Sequence, residues 1–432
     1  MKWKHIVLLG IFIFAAFCQL PKKARAEWHD IPDRTPVLQK IHEAQRIAAT
    51  AERTFQEILR SISEIEMELS AINGKKNARQ RSLELRSVLK TLVALKERSL
   101  EKTLLVVWDQ ETGALNRIYA QEPEYIVKQK RRGKQHRPRA GTENYRSYAP
   151  ECTVDSIDGN GHGKNFLVMC GNRVMPVLTL AHFHETAGIY SRDISHVYTP
   201  YSAAISTPDV IAEGKRYTRD IIQRAMYSLE KKQVPSRAYP GEIVHERFSP
   251  EFIEASIINE HMDHDEFADA LLEEVENEKD DTKKRSPLAS LVQKVFAIIG
   301  ANRERAFIFS VSEGAHACCL TQFIQSTYKD FVLDLYPTAY LSSNFFTAMR
   351  DHQTAVEAMI LLFDHDLSEF SPKVRELCES SRELLEDCLA VAYNGGAMRL
   401  NNVIEKHGEN WDETLTVIKR KRRFPKNELS PQ

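Results

Sequence analysis

The sequence has no excess of charge of either sign, and it contains few glycines and prolines. Its 432 residues include 59 Lys and Arg against 60 Asp and Glu, with 17 Gly and 17 Pro. The balance of charge argues against a nucleic-acid-binding protein. A hydrophobic content of 42% excludes a collagen-like or wholly disordered chain. A chain of this length predicts two or three domains.

The apolar run at the start of the chain is too short to cross a bilayer comfortably. It extends from Ile6 to Cys18, follows a basic start, and precedes the small-residue motif Ala24-Arg25-Ala26. This order of features is typical of a secretory signal peptide, so residues 1–26 are predicted to be one, with an uncleaved anchor as the alternative. We expect an exported protein, periplasmic or extracellular and associated with the cell wall, with no stable membrane span after cleavage.

Cysteine is scarce, and no Cys-x-x-Cys pair suggests a zinc site. Six cysteines lie outside the predicted signal peptide, an even number that suits disulfides in an oxidising compartment; they are Cys152, Cys170, Cys318, Cys319, Cys378 and Cys388. The most local candidate pair is Cys152 with Cys170. One of the adjacent cysteines, Cys318 or Cys319, is a candidate to pair with one of the two that follow. Free buried thiols are the alternative.

No metal or organic cofactor is expected. The sequence brings His182, His184 and Glu185 close together. Three adjacent ligand types without a distant partner are a weak metal signal. A structural or surface role is therefore predicted for these three residues.

A long helical hairpin is predicted near the start of the mature chain. Apolar residues recur every three or four positions from Val37 to Ile72, which predicts a helix with a coiled-coil seam. A turn at Asn73-Gly74 and a second periodic stretch follow, so an antiparallel hairpin is predicted over 27–125. Residues 37–105 are either an arm that binds a protein partner or a second copy, or a spacer that closes only on itself.

The remaining chain divides by composition. Its predicted segments are a basic linker (126–150), a small mixed segment with some β-structure (151–245), an α-rich domain (246–418) and a basic tail (419–432). The linker is predicted because seven of the twelve residues from Lys128 to Arg139 are Lys or Arg, with no apolar period. Helices are predicted over Asp209–Leu229 and Leu288–Gly300.

A helix start precedes the first candidate catalytic residue. Ser249-Pro250-Glu251 combines a capping hydroxyl with proline at the first helical position. Ile253, Ile257 and Glu260 then follow at i, i+4 and i+7, which places Glu260 on the stripe that faces the core. Burial raises the pKa of a glutamate toward the range in which it donates a proton at neutral pH. Glu260 is therefore a candidate general acid, with a structurally paired glutamate as the alternative.

Two later segments supply a buried helix and a polar helix terminus. The segment Ala355–Phe363 is apolar nearly all round, which predicts a buried helix. A further helix ends in Tyr393-Asn394-Gly395-Gly396. The glycine turn leaves Tyr393 and Asn394 at the helix terminus, with polar groups free to face a cleft.

The order of these elements resembles the catalytic domain of the soluble lytic transglycosylases, within the lysozyme-like superfamily. That family has a helix that ends in the catalytic Glu, then a Gly-Ala…Gln segment, a buried helix and an Ala-Tyr-Asn-Gly-Gly motif. The matching residues are Ile257-Ile258-Asn259-Glu260, Gly314-Ala315 with Gln322-Phe323, and Ala392-Tyr393-Asn394-Gly395-Gly396. The resemblance covers about residues 245–415, under half of the chain.

The sequence departs from the family's pattern at two places. His261 follows Glu260 where the family usually has Ser, and 53 residues separate this glutamate from the Gly-Ala motif. An insertion at about 264–305 is expected to loop out, where it can cap a sugar cleft. Because the insertion is long, Glu304 and Glu313 are rival candidates for the acid.

The resemblance implies cleavage of the β-1,4 bond between N-acetylmuramic acid and N-acetylglucosamine in peptidoglycan glycan strands. It implies that Glu260 protonates the leaving oxygen and then, as a base, draws the muramoyl C6 hydroxyl onto C1, which gives a 1,6-anhydro product. Tyr393 would hold Glu260 by a hydrogen bond. The residues implied to bind the sugars are Gln322, Asn394, Gly314 and Ala315.

Two other functions fit the sequence. Asp263, Asp265 and Glu266 leave a hydrolytic muramidase open, because a second carboxylate across the cleft activates water in inverting enzymes. A non-catalytic wall-binding or assembly protein that acts through the hairpin is the other. The predicted fold class is mainly α, with an N-terminal antiparallel coiled-coil hairpin, a small mixed segment, and a C-terminal lysozyme-like domain with a large insertion.

Overall fold

The computed structural model describes most of the chain between residues 36 and 411. The described residues are 36–72, 79–100, 102–121, 143–157, 165–182, 197–262, 266–267, 269–270, 286–308, 310–312, 316–408 and 411. The predicted signal peptide, most of the predicted basic linker and the predicted basic tail lie outside them.

The chain divides into two compact units. The first, which we call the sheet unit, comprises Asp33–Gly214 and Phe296–Ala306. The second, which we call the helical unit, contains Lys215–Val295 and Phe307–Gln432. Within the described residues no helix is long and apolar enough to cross a membrane.

The sheet unit begins with two long helices that pack against each other, α1 (Val37–Ile72) and α2 (Arg79–Leu100). Both helices of the predicted hairpin are therefore present, and the turn predicted at Asn73-Gly74 lies outside the described residues. The first half of α1 also buries its apolar stripe, including Ile41, Ala48 and Phe55, in a core shared with the strands that follow. The periodicity that predicted a coiled-coil seam therefore serves, in this half, to pack a helix onto a sheet.

Eight strands in the described part of the chain form one sheet in which every neighbouring pair is antiparallel. They are β1 (Lys102–Trp108), β2 (Leu115–Gln121), β3 (Glu143–Ser147), β4 (Cys152–Ile157), β5 (Asn165–Cys170), β6 (Arg173–Val174), β7 (Val177–His182) and β8 (Val197–Tyr198). Their order is β6-β5-β4-β3-β2-β1-β7-β8. The prediction that the hairpin extends to residue 125 is wrong, because 102–121 form β1 and β2. Residues 143–147 of the predicted linker form β3.

Strand β1 is buried on both faces, which explains why it was not predicted. Leu104, Val106 and Trp108 join the core that contains α1. Leu105 and Val107, which alternate with them, join a second core made of strand residues. From Leu104 to Trp108 the strand is therefore apolar at every position and shows no alternation of polar and apolar residues.

The structure pairs all six cysteines. Cys152 and Cys170 face each other in register on β4 and β5 and form a disulfide, as predicted. In the helical unit Cys318 bonds to Cys319, and Cys378 bonds to Cys388. The expectation that one of the adjacent cysteines pairs with a more distant one is therefore wrong.

The remaining helices follow in chain order. They are α3 (Pro208–Lys231), α4 (Pro250–Asn259), α5 (Pro287–Asn302), α6 (Phe345–Arg350), α7 (His352–Ser368), α8 (Pro372–Cys378), α9 (Arg382–Gly395) and α10 (Ala397–His407), with a π-helical turn at Tyr328–Leu333 between α5 and α6. The helices predicted over Asp209–Leu229, Leu288–Gly300 and Ala355–Phe363 are confirmed as α3, α5 and α7.

Helix α7 is the centre of the helical unit. Every residue from Ala355 to Leu367 is buried, Asp364 among them. Its carboxylate accepts hydrogen bonds from Ser236 Oγ at 2.5 Å, from the backbone N–H of Arg237 at 2.7 Å and from the Tyr336 hydroxyl at 2.8 Å. These donors stabilise a charge that burial alone would make costly.

Two glycines of the sheet unit allow α3 and α5 to approach closely. A Cβ atom on Gly214 would overlap the backbone oxygen of Phe296, and one on Gly300 would overlap the backbone oxygen of Val210. Because both obstacles are backbone atoms, no side-chain rotation relieves the overlap. The two positions therefore require glycine for packing.

We expect Gly300→Ala to lower the free energy of unfolding by about 3 kcal/mol, because the helices must move apart. Gly395→Ala is the matched control, since its Cβ would meet only the flexible Arg399 side chain, at 3.4 Å. We expect the control to change stability by no more than about 1 kcal/mol. Urea unfolding of both variants measures this, and equal effects would contradict the packing role of Gly300.

Candidate active site

Helix α4 carries Glu260 at its C-terminal end. Ser249 accepts a hydrogen bond from the Phe252 backbone N–H at 3.1 Å, and Pro250 occupies the first turn, which confirms the predicted helix start. Ile253 and Ile257 on the predicted stripe are buried. Glu260 is the C-cap residue and is partly buried. The sequence therefore fixes both the end of the helix and the face on which the carboxyl group lies.

Among the residues that the structure describes, one donor forms a hydrogen bond with the Glu260 carboxyl group. Asn394 Nδ2 donates to Glu260 Oε1 at 3.3 Å. Burial raises the pKa of Glu260 to about 7, and the single bond from Asn394 lowers it only in part. At neutral pH a large fraction of Glu260 is therefore protonated, as a general acid requires.

His261 anchors the end of α4. Its ring is buried, stacks on Phe307 with a centroid distance of 3.5 Å, and has Nε2 2.8 Å from the Leu320 carbonyl oxygen. The bulky residue therefore ties the turn after Glu260 to the segment around Leu320.

Gln322 lies in a tightly folded segment. Its amide donates to the Cys319 carbonyl oxygen at 2.8 Å and to Ser310 Oγ at 3.2 Å. Gln322 has a φ of 49°, and Cys319 has a φ of 69°, in the left-handed region that costs non-glycine residues roughly 1–2 kcal/mol each. The side-chain nitrogen of Gln322, which was predicted to bind sugar, therefore forms hydrogen bonds within its own loop.

Tyr393 does not make the predicted hydrogen bond to Glu260. Its hydroxyl donates instead to the Thr321 carbonyl oxygen at 2.6 Å, and its ring packs against Phe323 and Phe363. Burial, followed by the nearby Glu260 carboxylate, raises the pKa of Tyr393 well above its ordinary value. Tyr393 therefore holds α9 against the Thr321 segment, while the neighbouring Asn394 makes the contact to Glu260.

Asp366 is a second buried carboxyl group that sequence reasoning missed. It lies on α7, its Oδ2 is buried without a hydrogen-bond partner among the described residues, and burial raises its pKa to about 7. Its charge also raises the pKa of Tyr393. The sequence feature that could have revealed Asp366 is the polar triplet Asp364-His365-Asp366, which follows a run of mainly apolar residues in the same helix.

The structure limits the other candidates. The Glu304 side chain is 72% exposed and lies 3.9 Å from Arg303, so it is not partly buried as Glu260 is. Glu266 pairs with Lys294 at 2.8 Å. The candidates that lie outside the described residues are Asp263, Asp265, Glu313, Gly314, Ala315, His184, Glu185 and the side chain of His182. Among the residues that are described, no group of three or more His, Cys, Asp and Glu is arranged to hold a metal ion.

No family model, curated protein or solved structure matches this chain. A function for this chain therefore has to be argued from the geometry and chemistry of Glu260, Asn394 and Tyr393. It combines a carboxyl group whose pKa burial raises to about 7, an amide that donates to it, and a buried tyrosine that holds α9 in place.

We expect Gln322→Gly to be more stable than Gln322→Ala by about 1 kcal/mol. Both substitutions remove the same amide, and only glycine adopts the left-handed conformation without a penalty. Urea unfolding of the pair measures the difference. Equal stabilities would show that residue 322 is not held at positive φ.

Glu260 also makes stability depend on pH. The folded protein holds a proton that the unfolded chain releases above the ordinary pKa of 4.5. The contribution of Glu260 to the free energy of unfolding is therefore fully present below pH 4.5 and is lost as the pH rises through about 7.

We expect Glu260→Gln to gain stability relative to the wild type by about 3 kcal/mol between pH 4 and pH 8. Glu304→Gln, with an exposed side chain, is the control and keeps the wild-type pH dependence. Chemical unfolding at several pH values measures both. Parallel curves for the wild type and Glu260→Gln would contradict the raised pKa.

Proposed function

We propose that this protein is an exported peptidoglycan lytic transglycosylase that uses Glu260 as its acid and base. The observation that carries the proposal is the partly buried carboxyl group of Glu260, whose pKa is about 7 and whose oxygen accepts from Asn394. The resemblance of the Glu260 helix and the Tyr393-Asn394-Gly395-Gly396 motif to that family supports the choice of substrate. The three disulfides are compatible with export.

The proposed reaction needs one carboxyl group. Protonated Glu260 gives its proton to the glycosidic oxygen, the C1–O bond breaks, and positive charge develops on the muramoyl ring. The resulting carboxylate then takes the proton from the muramoyl C6 hydroxyl while O6 bonds to C1. The products are a 1,6-anhydromuramoyl end and a free N-acetylglucosamine hydroxyl, with no water consumed.

The neighbours of Glu260 have distinct parts in this reaction. Asn394 holds one carboxyl oxygen and stabilises the carboxylate form after the proton has left. Tyr393 and His261 act as positioning residues, because they hold α9 and the end of α4 through Thr321, Phe307 and Leu320. Gln322 stabilises its own loop, in which predicted sugar-binding residues lie, through hydrogen bonds to Cys319 and Ser310.

Asp366 favours a hydrolytic muramidase as the second candidate. Hydrolysis with inversion requires another carboxylate to activate water. One carboxyl oxygen of Asp366 has no hydrogen-bond partner among the described residues, burial raises the pKa of Asp366 to about 7, and its charge raises the pKa of Tyr393. The products distinguish the two reactions, since hydrolysis leaves a reducing muramoyl end.

A non-catalytic docking role is the third candidate, and it concerns the hairpin. Met67 on α1 is 65% exposed, and Leu83 and Val88 on α2 are 58% and 49% exposed. Large apolar side chains on a helical surface suit binding of a protein partner or of a second copy. This role is compatible with catalysis elsewhere in the chain.

We expect Glu260→Gln to reduce cleavage of purified peptidoglycan by about 10³-fold, because the amide cannot donate the proton. Glu304→Gln is the matched control and keeps full activity. Mass spectrometry of the released muropeptides is expected to show anhydro ends. Full activity of Glu260→Gln would reassign the acid, and reducing ends would favour the muramidase.

A further inference from the structure

The disulfide between Cys318 and Cys319 joins neighbouring residues of the chain. In the chain-entropy account, a disulfide stabilises a fold by closing a loop in the unfolded chain, and the effect grows with the number of residues enclosed. Cys318 and Cys319 enclose no other residue, whereas Cys152 and Cys170 lie 18 positions apart. The bond between neighbours therefore adds little to global stability, and its main effect is on the local conformation of the chain.

Cys319 has a left-handed backbone conformation. Its φ is 69°, and this region costs a non-glycine residue roughly 1–2 kcal/mol. Such residues persist only where the surrounding structure holds them. The disulfide closes a small ring that contains the peptide bond between the two cysteines, so rotation about the N–Cα bond of Cys319 is restricted. The ring therefore helps to hold Cys319 in a conformation that an open chain would leave.

The two cysteines lie inside a small antiparallel ladder in the helical unit. Cys318 pairs with Val311 on one side and with Phe323 on the other. The Cys319 backbone N–H donates to the Ser310 carbonyl oxygen at 2.8 Å. Both cysteines are buried. Because the segment is packed and hydrogen-bonded, a change in its backbone direction at Cys319 is passed on to the residues that follow.

The carbonyl groups of the next two residues hold two parts of the candidate active site. The Leu320 carbonyl oxygen lies 2.8 Å from Nε2 of His261, which follows the end of α4. The Thr321 carbonyl oxygen accepts from the hydroxyl of Tyr393, near the end of α9, at 2.6 Å. The conformation of Cys319 directs the chain that carries both carbonyl groups. One left-handed residue therefore sets the anchors of both helix ends.

We propose that the Cys318–Cys319 bond is a positioning device for the candidate active site: it fixes the turn whose carbonyl groups hold the ends of α4 and α9. The consequence for catalysis rests on the proposed function. Without the bond, Cys319 leaves the left-handed region and the two carbonyl groups turn away from the helix ends that they hold. Glu260 and Asn394, which those ends carry, then lose their fixed geometry and become more exposed to water.

The experiment compares three double variants with the wild type. Cys318→Ser with Cys319→Ser, which we call the open variant, removes the bond and leaves a residue that avoids the left-handed region. Cys318→Ser with Cys319→Gly, which we call the rescue variant, also removes the bond, but glycine adopts that region without a penalty. Cys152→Ser with Cys170→Ser, in the sheet unit, is the control for the loss of a disulfide.

Amide hydrogen exchange is the deciding measurement, because it reports local opening of the helix ends without any substrate. We expect residues 258–262 and 391–395 to exchange about tenfold faster in the open variant than in the wild type. The rescue variant is expected to regain most of the protection. The control is expected to match the wild type in both ranges.

The titration midpoint of Glu260, followed by carboxyl ¹³C NMR, is the second readout. Among the described residues, the groups near its carboxyl are the Asn394 amide, the Tyr393 hydroxyl, whose pKa lies well above the ordinary value, and the neighbouring His261 ring, which stacks on Phe307. The substitutions change none of these charges, so a shift reports the exposure of Glu260. We expect the midpoint of about 7 to fall by about one pH unit in the open variant and to recover in the rescue variant.

Unchanged exchange at the helix ends of the open variant would overturn the proposal. Equal losses in the open and rescue variants would also overturn it, since they would show that the left-handed turn is not what the bond holds. Circular dichroism tests folding: an open variant that unfolds while the rescue variant folds supports the proposal, and unfolding of both contradicts it.

Cleavage of purified peptidoglycan is measured in parallel. We expect it to fall about tenfold in the open variant and to recover in the rescue variant, because small displacements of a catalytic group are costly. Failure of the wild type to cleave would overturn the proposed function and not the positioning role, which exchange measures without glycan.

Discussion

The candidate chemistry depends on burial of the Glu260 carboxyl group where the C-terminal ends of α4 and α9 meet, at the hydrogen bond from Asn394. A carboxyl group with several donors would be ionised at neutral pH, and one in open solvent would keep an ordinary pKa. Among the described residues Glu260 has a single hydrogen-bond donor, the Asn394 amide, and burial raises its pKa to about 7. The same contact brings a helix end predicted to carry the acid next to a helix end predicted to bind sugar.

The sequence predicted the helix ends that carry Glu260 and Asn394, because the signals for those ends are local. A capping serine and a proline define the start of α4, and the spacing of Ile253 and Ile257 defines its buried face. The glycine pair after Asn394 defines the end of α9. The details that depend on distant packing were not predictable. Tyr393 bonds to Thr321 and not to Glu260, and Asp366 was hidden within a buried helix.

The sheet was largely missed for a related physical reason. Strand β1 is buried on both faces, so its apolar run carries no period of two, and it follows directly on a strongly periodic helix. The apolar stripe of α1 was predicted from the sequence, but the stripe does not show which element packs against it. Its first half packs on the sheet, and its later residues, such as Met67, remain exposed. The long-range pairing of strands such as β1 with β7 is set by tertiary contacts that spacing alone does not encode.

The most direct test is an NMR titration of protein labelled with ¹³C at the glutamate carboxyl carbons. The resonance of Glu260 is assigned by its absence from Glu260→Gln. The expected midpoint is about pH 7, well above the ordinary value of 4.5. A midpoint near 4.5 would contradict a proton-donating Glu260, and with it the glycan-cleaving function.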